Sequence, residues 1–502
     1  MSRKQNTIKN ITVNSLSFVL ITALNFFSRK VFLEFFPIEY FGLNSLCTQV
    51  LSMLSLAELG IGSAMVYSLY KPIAEENYTV ITSLMQLYKK LYQYIAIGVG
   101  CLGIIATFFL DKFIKDDIPQ HLIYIVFLLY LTNTIFTYLL AYKRSLLYAN
   151  QKSYIMTSID TVIKIISLVM QVVSLYIFQS FELFVAITIA FTICGNIYVN
   201  YIVNKRYPFI NNNESIELPS EYKQEIKKNV KAISLHQIGD FTIKSSDSII
   251  LAVFLNLSIV GIYSNYLVLI NAITSMLFQI FGATTASIGN LIQSKGAKEC
   301  YSIFKIIHLI NFILVANVVT LFLFLVNPFI DIWLGTKYTL DKFDVGLMSI
   351  SLYLMYMRFC LSSFKSAGGI YDQDKYLPLL ESAAKIIGCS FFIHFWGVKG
   401  LFIGHILSSL LIPTWSRPYY VFKYVFKVRL MQYFKESGLF VLLLVGSVLL
   451  CAYILNNLKI GTGILGIIIN GGIVFGIVNS LIIMVCYKHV GIQYILKHLK
   501  VL

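Results

Sequence analysis

His236, Asp240, Lys244 and Asp247 follow one another at spacings of four, four and three residues. That periodicity sets all four along one face of a helix. The surroundings are apolar, and "SIILAVFL" runs on directly behind Asp247. A charge near the middle of a bilayer costs about 2.5–3.5 kcal/mol on insertion scales, so such a face survives only where it is paired or wetted. It is either a self-neutralising ladder packed against another helix or the wall of a water-filled cavity. The cavity reading is favoured, because ionisable groups inside a membrane mark the paths of ions and polar cargo.

Other charges in apolar sequence extend the set. Arg29 lies inside the first apolar segment, just before Lys30 and Glu34, which stand one turn apart. Glu58 sits in "LAELGIG". Arg358, in "YLMYMRFCLSS", has no acid beside it and needs a partner from another helix. Asp160–Lys164 and Glu381–Lys385 both read acid-x-x-x-Lys, a spacing that first suggests structural pairs. The cations Arg29, Lys244 and Arg358 suit an anionic group. The acids Glu58, Asp240, Asp247, Asp160 and Glu381 suit a coupling cation, Na+ or H+, or a polar cargo. Lys164, His236 and Lys385 complete the candidates in a secondary role.

No catalytic constellation, metal site or cofactor is expected. The eight cysteines are scattered without a CxxC pair, and His308, His394 and His405 lack ligand spacing and read as packing or interfacial residues. "GVGCLG" (98–103) and "GTGILG" (461–466) both fit GxGxxG, but they lie in or beside apolar helices, where close helix packing is their role.

The elements that must hold these charges are transmembrane helices. Of 502 residues, 57% are hydrophobic and 13% charged, and the mean hydropathy is +0.75. Soluble domains carry about 25% charged residues, so the chain reads as an all-α polytopic membrane protein. Its net charge of +16 then belongs to basic loops, not to nucleic-acid binding. "MSRKQNTIKN" is not followed by a small-residue cleavage site. With about 20 apolar residues per crossing, about fourteen spans fit between 11–34 and 463–486. The seventh (231–255) is interrupted by charges, and the twelfth (400–414) is short. With both termini cytoplasmic, 28 Lys and Arg fall in inner segments against 6 in outer ones.

The halves resemble each other. Gly42 aligns with Gly261, and "FLDKF" (109–113) with "FIDIW" (329–333). Lys143, Gln151 and Tyr154 match Lys365, Gln373 and Tyr376, and the two acid-x-x-x-Lys pairs match at nearly the same offset. The expected organisation is a six-helix lobe (1–203), a cytoplasmic linker (204–230), a second six-helix lobe (231–436), two further helices (437–486) and an amphipathic tail (487–502). Lobes of equal orientation imply a pseudo-twofold axis along the membrane normal with a site between them.

"SLAELGIGSAMVYSLYKPIAEEN" (55–77), "SSDSIILAVF" (245–254), "VGIYSNYLVLI" (260–270), "ASIGNLI" (286–292), "PFIDIWLG" (328–335), "DQDKYLPLLES" (372–382) and "WSRPYYVFKYVFK" (415–427) resemble the Wzx-type polysaccharide flippases. The likeness is strongest to the Gram-positive capsular repeat-unit exporters, whose superfamily also holds multidrug extruders and lipid II flippases. It implies fourteen helices, two lobes about a central cavity and alternating access in the cell membrane. The implied cargo is an undecaprenyl-pyrophosphate-linked oligosaccharide, with membrane lipids, a polymerase and glycosyltransferases as partners. It carries Glu58, Asp247, Arg358 and Glu381 as site residues. It departs at "DKYL" (374–377), where Lys375 replaces the planar fork of an arginine. The rivals are a cation-coupled multidrug extruder, against which the several cations argue, and a membrane polymerase. No loop offers a polymerase an acid–base constellation.

Overall fold

The structure is a computed structural model, and it describes residues 3–58, 61–110, 114–211, 237–239, 241–243, 245–458, 461 and 463–499. Twelve helices among the described residues are long and apolar enough to cross a membrane. The chain is a nearly all-helical, multi-pass membrane protein.

Helix α1 (Arg3–Phe35) stops before Pro37, which disfavours a helical backbone in the residue ahead of it. Pro37 then leads into α2 (Ile38–Leu54). Ser55 Oγ bonds back to the Leu51 carbonyl at 2.7 Å, a competitor to the helical ladder, and α2 ends there. A 3-10 turn (Ser55–Glu58) and α3 (Ile61–Ala74) follow. The expected single span at 41–69 is therefore two shorter helices with Glu58 at the break. Next come α4 (Tyr78–Thr107), α5 (Gln120–Ala141), the short α6 (Arg144–Ala149), α7 (Ser153–Phe178) and α8 (Phe181–Arg206). Ser180 caps α8 by accepting from the Leu183 amide at 3.2 Å. Glu182 in its first turn and Lys205 and Arg206 in its last complement the helix dipole.

Of the expected seventh span, residues 231–236, 240 and 244 lie outside the described residues. Its end is α9 (Asp247–Phe254). Beyond it run α10 (Leu257–Ser294), α11 (Ala297–Leu334), α12 (Lys342–Tyr356), α13 (Arg358–Ala367) and α14 (Leu377–Trp396). The short twelfth span is one part of a membrane-length stretch, Val398–Phe426, made of α15 (Val398–Leu411), α16 (Pro413–Val421) and a π-helical turn. Pro413 breaks the ladder between α15 and α16. The chain closes with α17 (Met431–Leu458), α18 (Ile464–Cys486) and α19 (Val490–Leu499).

By compactness the chain divides into Met1–Gly261 and Ile262–Leu502. Residues 247–261 thus pack with the first unit. In that unit α1 lies along α7, and α4 along α5. A Cβ on Gly103 would stand 2.3 Å from Leu131 Cδ1 and one on Gly100 3.2 Å from Ile135 Cδ1, so these two glycines of "GVGCLG" serve close helix packing; Gly98, and Gly461 and Gly463 of "GTGILG", have no neighbour within 4 Å and do not. Phe32 gathers Phe41, Phe181 and Phe184 at ring distances of 4.5, 5.8 and 5.0 Å.

In the second unit α14 and α15 form a tight antiparallel pair. A Cβ on Gly400 would meet the Phe392 carbonyl carbon at 2.2 Å. Helix α11 carries α17, α18 and α19 along its length. Asn317 and Asn479 exchange amide hydrogen bonds of 3.2 and 2.9 Å between α11 and α18. The tail, expected on the membrane surface, starts by docking on α11, with Ile492 buried and Gly491 close to Leu309.

Candidate functional site

The described candidates fall into separate clusters, and His236, Asp240 and Lys244 lie outside the described residues. Asp247 opens α9 and is buried. Its neighbour Ser248 bonds Ser45 of α2 at 3.2 Å. Arg29 is also buried, with its guanidinium 4.2 Å over the Phe41 ring. An arginine in apolar sequence gains from such a stack.

Glu58 accepts a hydrogen bond from Tyr92 at 2.9 Å. The pair opens on a cavity of about 830 Å³ lined also by Tyr67, Tyr70, Arg144 and Tyr148. Arg144 stands at the start of α6, just past the break after α5. It grips both oxygens of Asp160, at 2.7 and 2.8 Å, and Asn196 of α8 at 2.8 Å. Behind it lies a second cavity of about 530 Å³, lined by Arg144, Asp160, Lys164, Thr188 and Asn196 among others. Arg144 and Ala141 border both spaces. No ion pair links Asp160 to Lys164 among the described residues. The arginine fork matches a carboxylate with two parallel bonds, which a lysine one turn away cannot do. Arg144→Lys is expected to lower stability by about 1–2 kcal/mol, the loss of one charged hydrogen bond at a half-buried site. Chemical denaturation of the purified protein measures it, and an unchanged midpoint would remove Arg144 from the structural account.

The second unit holds a denser cluster. Arg358 begins α13, just past the break after α12. Its Nη1 donates to Glu381 at 2.8 Å, and its Nε to the Leu354 carbonyl at 2.9 Å. The acid that Arg358 lacks locally thus comes from α14. Arg417 of α16 approaches the other Glu381 oxygen at 3.8 Å and donates to Ser362 at 3.0 Å. Lys385, one turn beyond Glu381, is buried with it. A cavity of about 250 Å³ beside Arg358 is lined by Tyr353, Thr414, Tyr433 and Ser437 among others. Arg144 and Arg417 were passed over in the sequence, since both sit in basic stretches that read as loop charges. The repeat itself held a clue: Asp160, Lys164 and Asn196 correspond to Glu381, Lys385 and Arg417 at one offset of 221 residues.

Lys375 is engaged locally. It bonds Asp372 at 2.9 Å, and this bond, then the lysine charge, holds the Asp372 carboxyl below the usual carboxylate range. The neighbouring Lys365 pairs with buried Asp374.

No family model and no curated protein sequence matches the chain. Solved structures do match in fold. An inward-facing multidrug resistance MATE family transporter of the MOP superfamily aligns at TM-score 0.61 and 13% identity, covering 78% of this chain and 92% of that one. The lipid II flippase MurJ, in an inward closed conformation, aligns at TM-score 0.65 and 14% identity, covering 94% and 98%. A MATE structure in complex with MaL6 aligns at TM-score 0.54 and 11% identity, covering 83% and 96%. The fold is therefore shared with transporters and flippases of the MOP superfamily.

Proposed function

We propose that the chain is a flippase that moves an undecaprenyl-pyrophosphate-linked oligosaccharide from the inner to the outer leaflet of the cytoplasmic membrane by alternating access. The observation that carries this reading is the gathering of cations within the spans. Arg144 and Lys164 stand around Asp160, and Arg358, Lys385 and Arg417 around Glu381. Positive charge gathered in a low-dielectric region is stabilised by an anionic cargo. A pyrophosphate supplies that charge. The Glu58–Tyr92 cavity, with three further tyrosines, suits sugar rings and hydroxyls.

The lipid II flippase in the fold comparison handles a lipid-linked cargo by name, and its match extends over 94% of this chain. In this reading the cargo comes from membrane glycosyltransferases and passes to a polymerase for capsular or other surface polysaccharide. Transport is coupled to Na+ or H+ through acids such as Glu58 and Asp247. The MATE likeness favours a second reading, a cation-coupled multidrug extruder.

Deletion in the native host followed by lipid extraction separates the two. Undecaprenyl-linked repeat units should accumulate on the inner leaflet, with drug tolerance unchanged. Normal lipid levels together with raised sensitivity to cationic drugs would overturn the flippase reading.

A further inference from the structure

The cavity of about 530 Å³ in the first unit has three charged groups among the described residues that line it: Arg144, Asp160 and Lys164. Asp160, Lys164 and Ser167 follow at spacings of four and three on α7, so they share one face of that helix. Arg144 engages both oxygens of Asp160, at 2.7 and 2.8 Å, and the two charges cancel. Lys164 is left over. It stands near the middle of α7, inside a span, and makes no ion pair or hydrogen bond with any described residue. Lysines near a helix end carry their charge to the membrane interface, but Lys164 lines the cavity instead. Its ammonium offers three donors and no acceptor.

Ser167 is the second unpartnered group. It is 2% exposed, and its Oγ has no hydrogen-bond partner. A hydroxyl inside a helix commonly bonds the carbonyl four residues back. Two hydroxyls across the cavity do so: Thr188 donates to the Phe184 carbonyl at 3.2 Å, and Thr192 to the Thr188 carbonyl at 2.8 Å. Ser167 does not, so its proton is free for whatever fills the space. A buried hydroxyl without a partner is unfavourable, and so is an ammonium without a counter-charge. One anion between them removes both.

We propose that this cavity is a binding site for one small monovalent anion of the chloride kind, held by the Lys164 ammonium and the Ser167 hydroxyl. The charge follows from the lining. With Asp160 cancelled by Arg144, the described lining residues leave one positive charge, and an ion of higher charge would carry unpaired negative charge into a low-dielectric space. The volume exceeds that of one ion, so the ion keeps water around it, and the hydroxyl oxygens of Thr188 and Thr192 accept from that water. Arg144 and Ala141 also border the cavity of about 830 Å³, so the larger space gives the ion its way in. The site goes beyond the flippase reading and does not depend on it. A cargo phosphate that reaches Lys164 would displace the ion, and a cargo that does not leaves it in place.

The test is thermal unfolding of the full chain in lipid nanodiscs, in sodium chloride and in sodium gluconate at equal ionic strength. Gluconate matches the charge of chloride in a much larger ion. A ligand that binds only the folded state raises the midpoint, and more so at higher concentration. The wild-type midpoint should be several degrees higher in chloride, with a gap that widens as both salts are raised. Lys164→Met should close the gap, and Lys164→Arg should keep most of it. Ser167→Ala removes one hydrogen bond to a charged group and should move the chloride dependence to about tenfold higher concentration. It deletes an unpartnered oxygen, so it folds even if Lys164→Met does not. Asn479→Leu breaks an amide pair in the second unit and should lower the midpoint equally in both salts. A wild-type midpoint equal in the two salts, or an unchanged chloride dependence in either Lys164→Met or Ser167→Ala, would overturn the site. Inorganic phosphate should stabilise less than chloride; a stronger response to phosphate would assign the cavity to a phosphoryl group and overturn the choice of a monovalent ion.

Discussion

Arg358→Ala is expected to abolish transport and to lower stability by about 3–5 kcal/mol, the range for removing one partner of a buried ion pair. The side chains of Arg358 and Glu381 are only 11% and 6% exposed. Without Arg358, Glu381 retains Arg417 at 3.8 Å, beyond the 2.7–2.9 Å of a strong charged hydrogen bond. Arg358→Lys should do better, since it keeps the charge. It loses the geometry that serves Glu381 and the Leu354 carbonyl at once, so partial transport is the expected result. Arg358→Met with Glu381→Leu separates stability from function, because replacing both partners by apolar groups is often neutral or stabilising. That double variant should fold near wild-type stability yet fail to export. With the proposed cargo, glycan export per unit of inserted protein measures this, and wild-type export by the double variant would reduce the pair to a structural role.

The same residues mark how far the sequence could be read. Span length and hydropathy located the helices, because lipid demands long apolar segments with internally paired backbones. Arg358 announced its need for a distant acid by the absence of a near one. Its partner Glu381 was in the candidate set, but the i, i+4 rule tied it to Lys385 instead. That rule sees one helix at a time. Arg144 reaches Asp160 across a helix break, and Arg417 reaches Glu381 from α16. Local spacing encodes neither approach. Both arginines stand in basic stretches, where the topology signal hides their ion pairs.

His308 shows the same limit from another side. It packs in an aromatic cluster, as expected of a lone histidine on an apolar face. The carboxylate it faces, that of Glu436 at 3.7 Å, is more than 120 residues away in sequence. The break in the second span was equally hidden. "LSMLSLAELG" is apolar throughout its length except for Glu58 and small polar residues, and a back-bonding serine ends the helix without any proline. The ladder of His236, Asp240, Lys244 and Asp247 is described only at Asp247, so its cavity role stands as a proposal.

Gly42→Ala and Gly261→Ala should produce the largest packing defects in the first unit. A Cβ on Gly42 would lie 2.0 Å from the Leu257 carbonyl oxygen, and one on Gly261 would lie 2.4 Å from that of Ile38. Each glycine meets the backbone of the residue one turn before the other, so the crossing of α2 and α10 reads the same from either helix. Small residues let helix backbones approach this closely in a membrane. The obstacle to a methyl group is main chain, which cannot rotate aside as a flexible side chain can, and the helices must separate. Overpacking a tight contact costs about 1–3 kcal/mol, and backbone obstruction puts each variant at or above the upper end. These are the two positions the internal repeat aligns, so their effects should be alike. They should also be less than additive, since helices parted by the first methyl group leave room for the second; neighbouring sites couple by about 0.5–3 kcal/mol. Gly98 has no neighbour within 4 Å of its notional Cβ, and Gly98→Ala should be neutral or stabilising by up to about 1 kcal/mol. Unfolding midpoints of the two single variants, the double variant and the Gly98 control complete the comparison. Single variants as stable as the control would mean that α2 and α10 do not cross at these glycines.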